Sequence, residues 1–280
     1  MKRKGVERGP GRRESRSVRI AFGGNPVVNP KVAGYLSGHF QQIRGYSNPY
    51  IWNALQPIHE WQEAEGVTGP IGEIGVMLGK FFAALALAKD AYGPHFAFDV
   101  FDLTQFNLGG GPRGNLDIFK ENLKAAGVEA AKVEIRQVDS MAITARDIEE
   151  VREATGGGFS LFSVDGCHRA EHTVNDLQIA MELTKPGGLI LLDDYYNQDW
   201  PGVQEGTVRL YLNSLPRFIP IAFTCNKLLL AHIGYAEAMF AHLKSELPGR
   251  FPGLRITEAP RFGYPTLNIY PDVKSDRYLS

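Results

Sequence analysis

From Gly69 onward, short apolar runs alternate with segments of helical length, and this alternation constrains the fold more than any other feature of the chain. The strand-like runs cover 72–76, 95–101, 132–138, 159–164 and 189–192, and the helix-like segments that follow them cover 79–91, 115–126, 146–154, 170–184 and 204–214. Such a β/α alternation predicts a mostly parallel sheet with helices on both faces. The runs Phe159-Ser-Leu-Phe-Ser-Val164 and Leu189-Ile-Leu-Leu192 are apolar without strict alternation, as expected of strands buried on both faces. The pattern then changes. Segments 219–224 and 227–232 flank Cys225-Asn226 and predict a hairpin with a short turn; a helix at about 235–247 and a last strand at 267–270 follow. The expected class is α/β, a mostly parallel sheet that ends in antiparallel strands.

With 280 residues, the chain suits one large α/β domain with an appended element. Its 44% hydrophobic and 22% charged residues exclude a wholly disordered chain, a collagen and a coiled coil. The longest apolar run, 81–88, falls far short of the roughly 20 residues that cross a bilayer, so no membrane association is expected. The first 25 residues have no apolar core of signal-peptide type, and Cys167 and Cys225 form neither a disulfide framework nor a zinc spacing. A reducing cytoplasm is the expected compartment. Residues 1–25 read as a flexible basic tail: positions 1–19 hold eight basic side chains against Glu7 and Glu14. This tail reads either as an RNA-binding or targeting arm or as a solvated extension. The rest of the chain is acidic, near −7, and is expected to bind no nucleic acid. Residues 26–66, rich in aromatics and interrupted by Pro49 and Pro57, read as a helical cap of short helices. Its aromatic part is expected either to close over a substrate or to form a contact in a homo-oligomer. Residues 67–280 form the main domain.

The first strand runs into Glu73-Ile-Gly75-Val-Met-Leu-Gly79 and then into a strongly apolar helix. Glycines at such a turn let a ligand approach the backbone, and the helix N-terminus offers free N–H groups. The turn fits neither G-x-G-x-x-G nor a P-loop, and on its own it also reads as a purely structural turn. The second strand ends near Asp99 and Asp102, either of which is placed to take hydrogen bonds from ribose hydroxyls. The third ends at Asp139-Ser140, where a polar side chain can meet an adenine. Ligands of open α/β sheets bind at the carboxyl ends of the strands, so turn, acid and polar pair together point to an adenosine-containing ligand.

Asp165 ends the fourth strand, and Asp193 and Asp194 end the fifth. If those strands are neighbours, three carboxylates converge. Bare carboxylates repel one another and resist joint desolvation, and a hard divalent cation such as Mg²⁺ resolves the conflict. The competing reading is of helix caps and loop acids, common after α/β strands.

The motif Glu73–Gly79 with its apolar helix, together with Val164-Asp-Gly-Cys-His168 and Gly187-Gly-Leu-Ile-Leu-Leu-Asp-Asp194, resembles class I S-adenosylmethionine-dependent methyltransferases. It is closest to the cation-dependent O-methyltransferases of the catechol and caffeoyl-CoA type and to the magnesium-dependent sugar O-methyltransferases of macrolide pathways. The resemblance spans about 65–215 and departs from the commoner D-x-G-x-G-x-G at Met77, which replaces the middle glycine. It implies a Rossmann-like methyltransferase fold with a seven-stranded sheet. It further implies that Glu73, Gly75 and Gly79 form the cofactor turn, with Glu73 and Gly75 near the methionine part of S-adenosylmethionine. Asp99 then holds the ribose, Asp139 and Ser140 lie near the adenine, and Asp165, Asp193 and Asp194 hold Mg²⁺. The family often has Asn where Asp194 stands.

The expected activity is methyl transfer to a hydroxyl of a small molecule, a sugar or polyphenol of secondary metabolism. His168, three residues after Asp165, is the expected general base; sugar-modifying relatives place a histidine at this offset and catechol-type ones a lysine. The competing reading is a histidine bonded to its own loop. Tyr195, Tyr196, Asn197 and Trp200 either line the substrate pocket or pack the loop. Three further functional readings stay open: a metal-independent methyltransferase, a hydroxylase-like relative, and a non-catalytic cofactor-binding protein.

Overall fold

The computed structural model describes residues 29–106, 108 and 113–270, so the basic tail 1–25 lies outside the described residues. Two helices open the fold, α1 (Pro30–Ser37) and α2 (Trp52–Ala64). The alternating series follows: β1 (Ile71–Ile74), α3 (Lys80–Ala88), β2 (His95–Asp99), α4 (Leu116–Ala126), β3 (Val133–Gln137), α5 (Ala145–Ala154), β4 (Phe159–Val164), α6 (Ala170–Leu183), β5 (Thr184–Leu192) and α7 (Pro201–Asn213). The chain then forms β6 (Phe218–Thr224), β7 (Lys227–His232), α8 (Ile233–Arg250), β8 (Arg255–Glu258) and β9 (Leu267–Tyr270).

All the strands join one sheet, ordered β3-β2-β1-β4-β5-β7-β6-β9-β8. The first five strands in this order are parallel, and β7 runs antiparallel to β5 and β6. This is the Rossmann-like methyltransferase arrangement, with the chain reversing direction outward from β1 and β4. The expected seven-stranded sheet is extended to nine by β9, parallel to β6, and β8, antiparallel to β9. Strand β8 escapes a sequence reading because it is short, mostly exposed and charged at both ends (Arg255, Glu258), the usual way an edge strand is protected.

Two apolar cores fill the space above and below the sheet. One joins the sheet to α1, α2, α3, α4 and α8, and the other joins it to α5, α6 and α7. Helix α3 (KFFAALALA) is apolar on every side because it is buried on every side, between sheet and helices. The helices α1 and α2 share this core, packing against α3 and α8. Pro57 does not interrupt the segment as the sequence suggested; it lies inside α2, close to the middle of the helix. Lys185-Pro-Gly-Gly188 opens the fifth strand. It belongs to β5 as a bulge, between the pairs Phe159↔Thr184 and Leu161↔Leu189. Gln62 of α2 clamps this bulge by donating from Nε2 to the carbonyls of Ser160 and Gly187.

Candidate active site

The carboxyl ends of β1, β2, β4 and β5 open on one cavity of about 920 Å³. Its lining contains Glu73, Gly75, Met77, Asp99, Asp139, Ser140, Asp165, His168, Asp193 and Asp194, so most of the residues singled out in the sequence share one space. Gly79 closes the turn behind them as the left-handed N-cap of α3.

The turn is built on close approach. Gly75 has φ 86°, and a Cβ there would stand 1.8 Å from the carbonyl oxygen of Asp165. Only glycine fits between β1 and the end of β4. Met77, at the place of the missing glycine, keeps the left-handed backbone that a glycine would take, with φ 50°. Asp99 holds the turn in shape: one carboxylate oxygen accepts from the Met77 N–H at 2.7 Å and the other from the Phe101 N–H at 2.5 Å. Burial pushes its carboxyl upward, and these amides oppose that shift. Asp99 therefore faces the cavity with each oxygen already engaged once. Asp102 does not line the cavity; it accepts from Gln137 Nε2 at 3.0 Å.

Glu73 is buried under the turn. Its Oε1 accepts from Ser163 Oγ at 2.9 Å, and its Oε2 has no hydrogen-bond partner. Burial and the charge of Asp165 raise its carboxyl to about 8. On the adenine side of the sequence reading, Asp139 caps the turn after β3 by accepting from the Met141 N–H at 3.0 Å. Ser140 is buried, and its carbonyl accepts from Asn175 Nδ2 at 3.0 Å. Behind it lies Asp176, raised to about 7 by burial. Asp176 and His172, both on α6, carried no signal in the sequence, although His172 also lines the cavity.

The acid cluster divides into two groups. Val164 and Leu192 are partners across β4 and β5, so Asp165 and Asp193 leave the sheet side by side. Asp165, His168 and Asp194 then come together, with one ligand atom of each lying within 4.8 Å of the others. His168 Nε2 is 3.0 Å from Asp194 Oδ2 and 3.7 Å from Asp165 Oδ1. Burial opposes protonation of the ring, but these two carboxylates outweigh it and raise His168 to about 9. Trp200 stacks on the imidazole, centroid to centroid 4.2 Å, and lines the cavity, whereas Tyr195 and Tyr196 pack against Phe223. Asp194 takes a left-handed backbone, φ 57°, a region that Asn and Asp tolerate. Its Oδ1 accepts from Asn197 Nδ2 at 2.9 Å and Asn226 Nδ2 at 2.6 Å.

Asp193 is not part of that group. Its Oδ1 accepts from the Asp194 N–H at 2.8 Å, and its Oδ2 pairs with the buried ammonium of Lys227. Burial pushes the Asp193 carboxyl upward, against the charge of Lys227. Lys227 and Asn226 are supplied by the hairpin between β6 and β7, whose turn residues Cys225 and Asn226 both have positive φ, 49° and 65°. The hairpin itself was legible, but its meeting with the ends of β5 was not. The donor set expected for a divalent cation therefore fits in part. Two carboxylates, Asp165 and Asp194, converge beside the His168 ring and suit one cation, while Asp193 is already paired with Lys227.

No curated protein matches the chain. Among solved structures, the O-methyltransferase NovP is 14% identical with a TM-score of 0.49, over 64% of this chain and 79% of that one. CalS11, a TDP-rhamnose 3'-O-methyltransferase of calicheamicin biosynthesis, is 19% identical with a TM-score of 0.48, over 75% and 89%. TomG from Streptomyces achromogenes is 16% identical with a TM-score of 0.47, over 72% and 89%. The family described as "Methyltransferase domain" matches residues 73–195, from the acid under the glycine turn to the residue after the Asp193–Asp194 pair. That match runs from within β1 to just past the end of β5, so this part of the chain is similar to methyltransferase domains.

Proposed function

We propose that the chain is an S-adenosylmethionine-dependent O-methyltransferase acting on a hydroxyl of a small molecule, a sugar or polyphenol of secondary metabolism. The observation that carries this reading is one cavity whose lining brings the glycine turn, Glu73, Asp99 and Asp139 together with Asp165, His168 and Asp194. A methyl donor on the glycine turn and a hydroxyl beside Asp165, His168 and Asp194 fit the direct displacement that methyl transfer needs. S-adenosylmethionine bound at the turn would supply an electrophilic methyl group to the acceptor oxygen, its sulfur keeping the electron pair of the bond that breaks. No covalent enzyme intermediate is involved, so Cys167 and Cys225 have no nucleophilic part. Once the ring has given up its own proton, the hydroxyl proton passes to His168, and the neighbouring Asp165 and Asp194 favour the imidazolium that forms. Trp200 fixes the plane of the ring. In the cofactor, Asp99 serves the ribose and the Asp139–Ser140 turn the adenine. Mg²⁺ held by Asp165 and Asp194 would draw in the acceptor oxygen and lower its pKa.

One observation favours a second reading, a metal-independent methyltransferase: the ion pair of Asp193 with Lys227 already supplies a cation to the cluster. Turnover with and without chelator separates the two. Loss of activity in EDTA and its return with Mg²⁺ support the first reading, and full activity in EDTA supports the second.

A further inference from the structure

Lys227 stands out among the buried charges. Its side chain is 3% exposed, yet it lines the same cavity as the acids. Its position follows from register: Leu192 pairs with Leu228 across antiparallel β5 and β7, which sets Lys227 opposite Asp193. The ammonium meets Asp193 Oδ2 and lies 4.5 Å from the centroid of the Phe81 ring, and the charges of Asp165 and Glu73 also face it. The remaining oxygen of Asp193 is held by the Asp194 N–H. Asp193 thus has both oxygens committed, whereas Asp165 Oδ1 and Asp194 Oδ2 converge on His168 Nε2.

We infer that Lys227 is a positioning residue that withholds Asp193 from the divalent cation, so that the cation is held through Asp165 and Asp194 without it. This inference rests on the cation reading of the proposed function. The physical reason is charge. Three carboxylates with one internal ammonium present two net negative charges, and a pair as buried as Lys227–Asp193 is costly to break because each partner would be left uncompensated. Removing the ammonium frees a third ligand and restores the third negative charge.

The test is calorimetric titration of Mn²⁺ and of Mg²⁺ into the full chain, with near-UV circular dichroism to follow folding. Lys227→Met should bind the cation at least tenfold more tightly than wild type. The double variant Asp193→Asn with Lys227→Met removes both charges together, and it should bind within threefold of wild type. Asp165→Asn and Asp194→Asn should each weaken binding at least tenfold. If Lys227→Met does not fold, the double variant, which leaves no charge buried alone, decides. A wild type that binds the cation and a double variant that loses it tenfold would make Asp193 a ligand and overturn the inference while leaving the cation reading intact. A wild type without affinity and a Lys227→Met variant that gains it would overturn the inference, because Asp165 and Asp194 would then not hold the cation without Asp193. Absence of binding in every variant would overturn both.

Discussion

Met77 holds a left-handed backbone that costs a non-glycine residue about 1 kcal/mol, at a position where the related motif has glycine. Met77→Gly removes that strain but loosens the unfolded chain, so the two effects should nearly cancel, with stability within about 1 kcal/mol of wild type. Met77→Val places a β-branched side chain at φ 50° and should cost at least about 2 kcal/mol in urea unfolding. Equal stabilities for the two variants would show that the strain is not real. The other residue-scale prediction concerns His168. His168→Ala should lower kcat roughly 10²–10⁴-fold, as for a lost general base, with affinity for S-adenosylhomocysteine little changed. Activity of wild type should rise with pH as the ring gives up its proton, and in the variant that limb should disappear. A variant within threefold of wild type from pH 6 to 9 would remove His168 from the mechanism.

Among the elements, the first half of the fold was legible because buried parallel strands are written as apolar runs and their helices as separate periodic segments. Asp165, Asp193 and Asp194 were found the same way, since an acid directly after such a run sits at the carboxyl end of a strand. What could not be read was any relation that depends on register between distant strands. The pairing of Lys227 with Asp193 is fixed by β5 against β7, and nothing local to Lys227 announces it. The bulge at Lys185–Gly188 is not legible locally, because glycine and proline signal turn and bulge alike, and only the hydrogen bonds from Gln62 across the sheet mark it. The sequence left Asp99 and Asp102 open at the end of β2, and the grip of Asp99 on the amides of Met77 and Phe101 was not visible. That grip makes a prediction about the turn as a unit. Asp99→Asn replaces one acceptor oxygen by an N–H₂ facing an amide, and it should cost about 1–2 kcal/mol of stability. Asp102→Ala, on an exposed side chain, should change stability by less than about 0.5 kcal/mol. If the two variants melt alike, Asp99 does not organise the turn.

At the scale of the whole molecule, no helix among the described residues is long and apolar enough to cross a membrane. The stability of the fold should respond to acid through histidines buried in neutral form. His95 accepts from the Ile71 N–H through Nδ1 at 3.2 Å, and burial, aided by Lys132, lowers it from 6.5 to about 4. Its pKa is lower in the folded chain than in the unfolded one. Its contribution is therefore complete above pH 6.5 and is lost as pH falls toward 4, by up to about 3 kcal/mol. Buried acids such as Glu73 act in the opposite sense, so His95 is best read by difference. The stability gap between wild type and His95→Asn should shrink as pH falls from 7 to 4.5, and a constant gap would refute the assignment.

Every role proposed for the cavity depends on its glycine turn being a site for S-adenosylmethionine. Calorimetric titration of the full chain with S-adenosylhomocysteine tests this most directly. Saturable one-to-one binding that Asp99→Ala weakens at least tenfold, or about 1.4 kcal/mol, is the predicted result. Absence of binding by the wild type at millimolar ligand would contradict the methyltransferase reading, and the cavity would have to be assigned to another ligand.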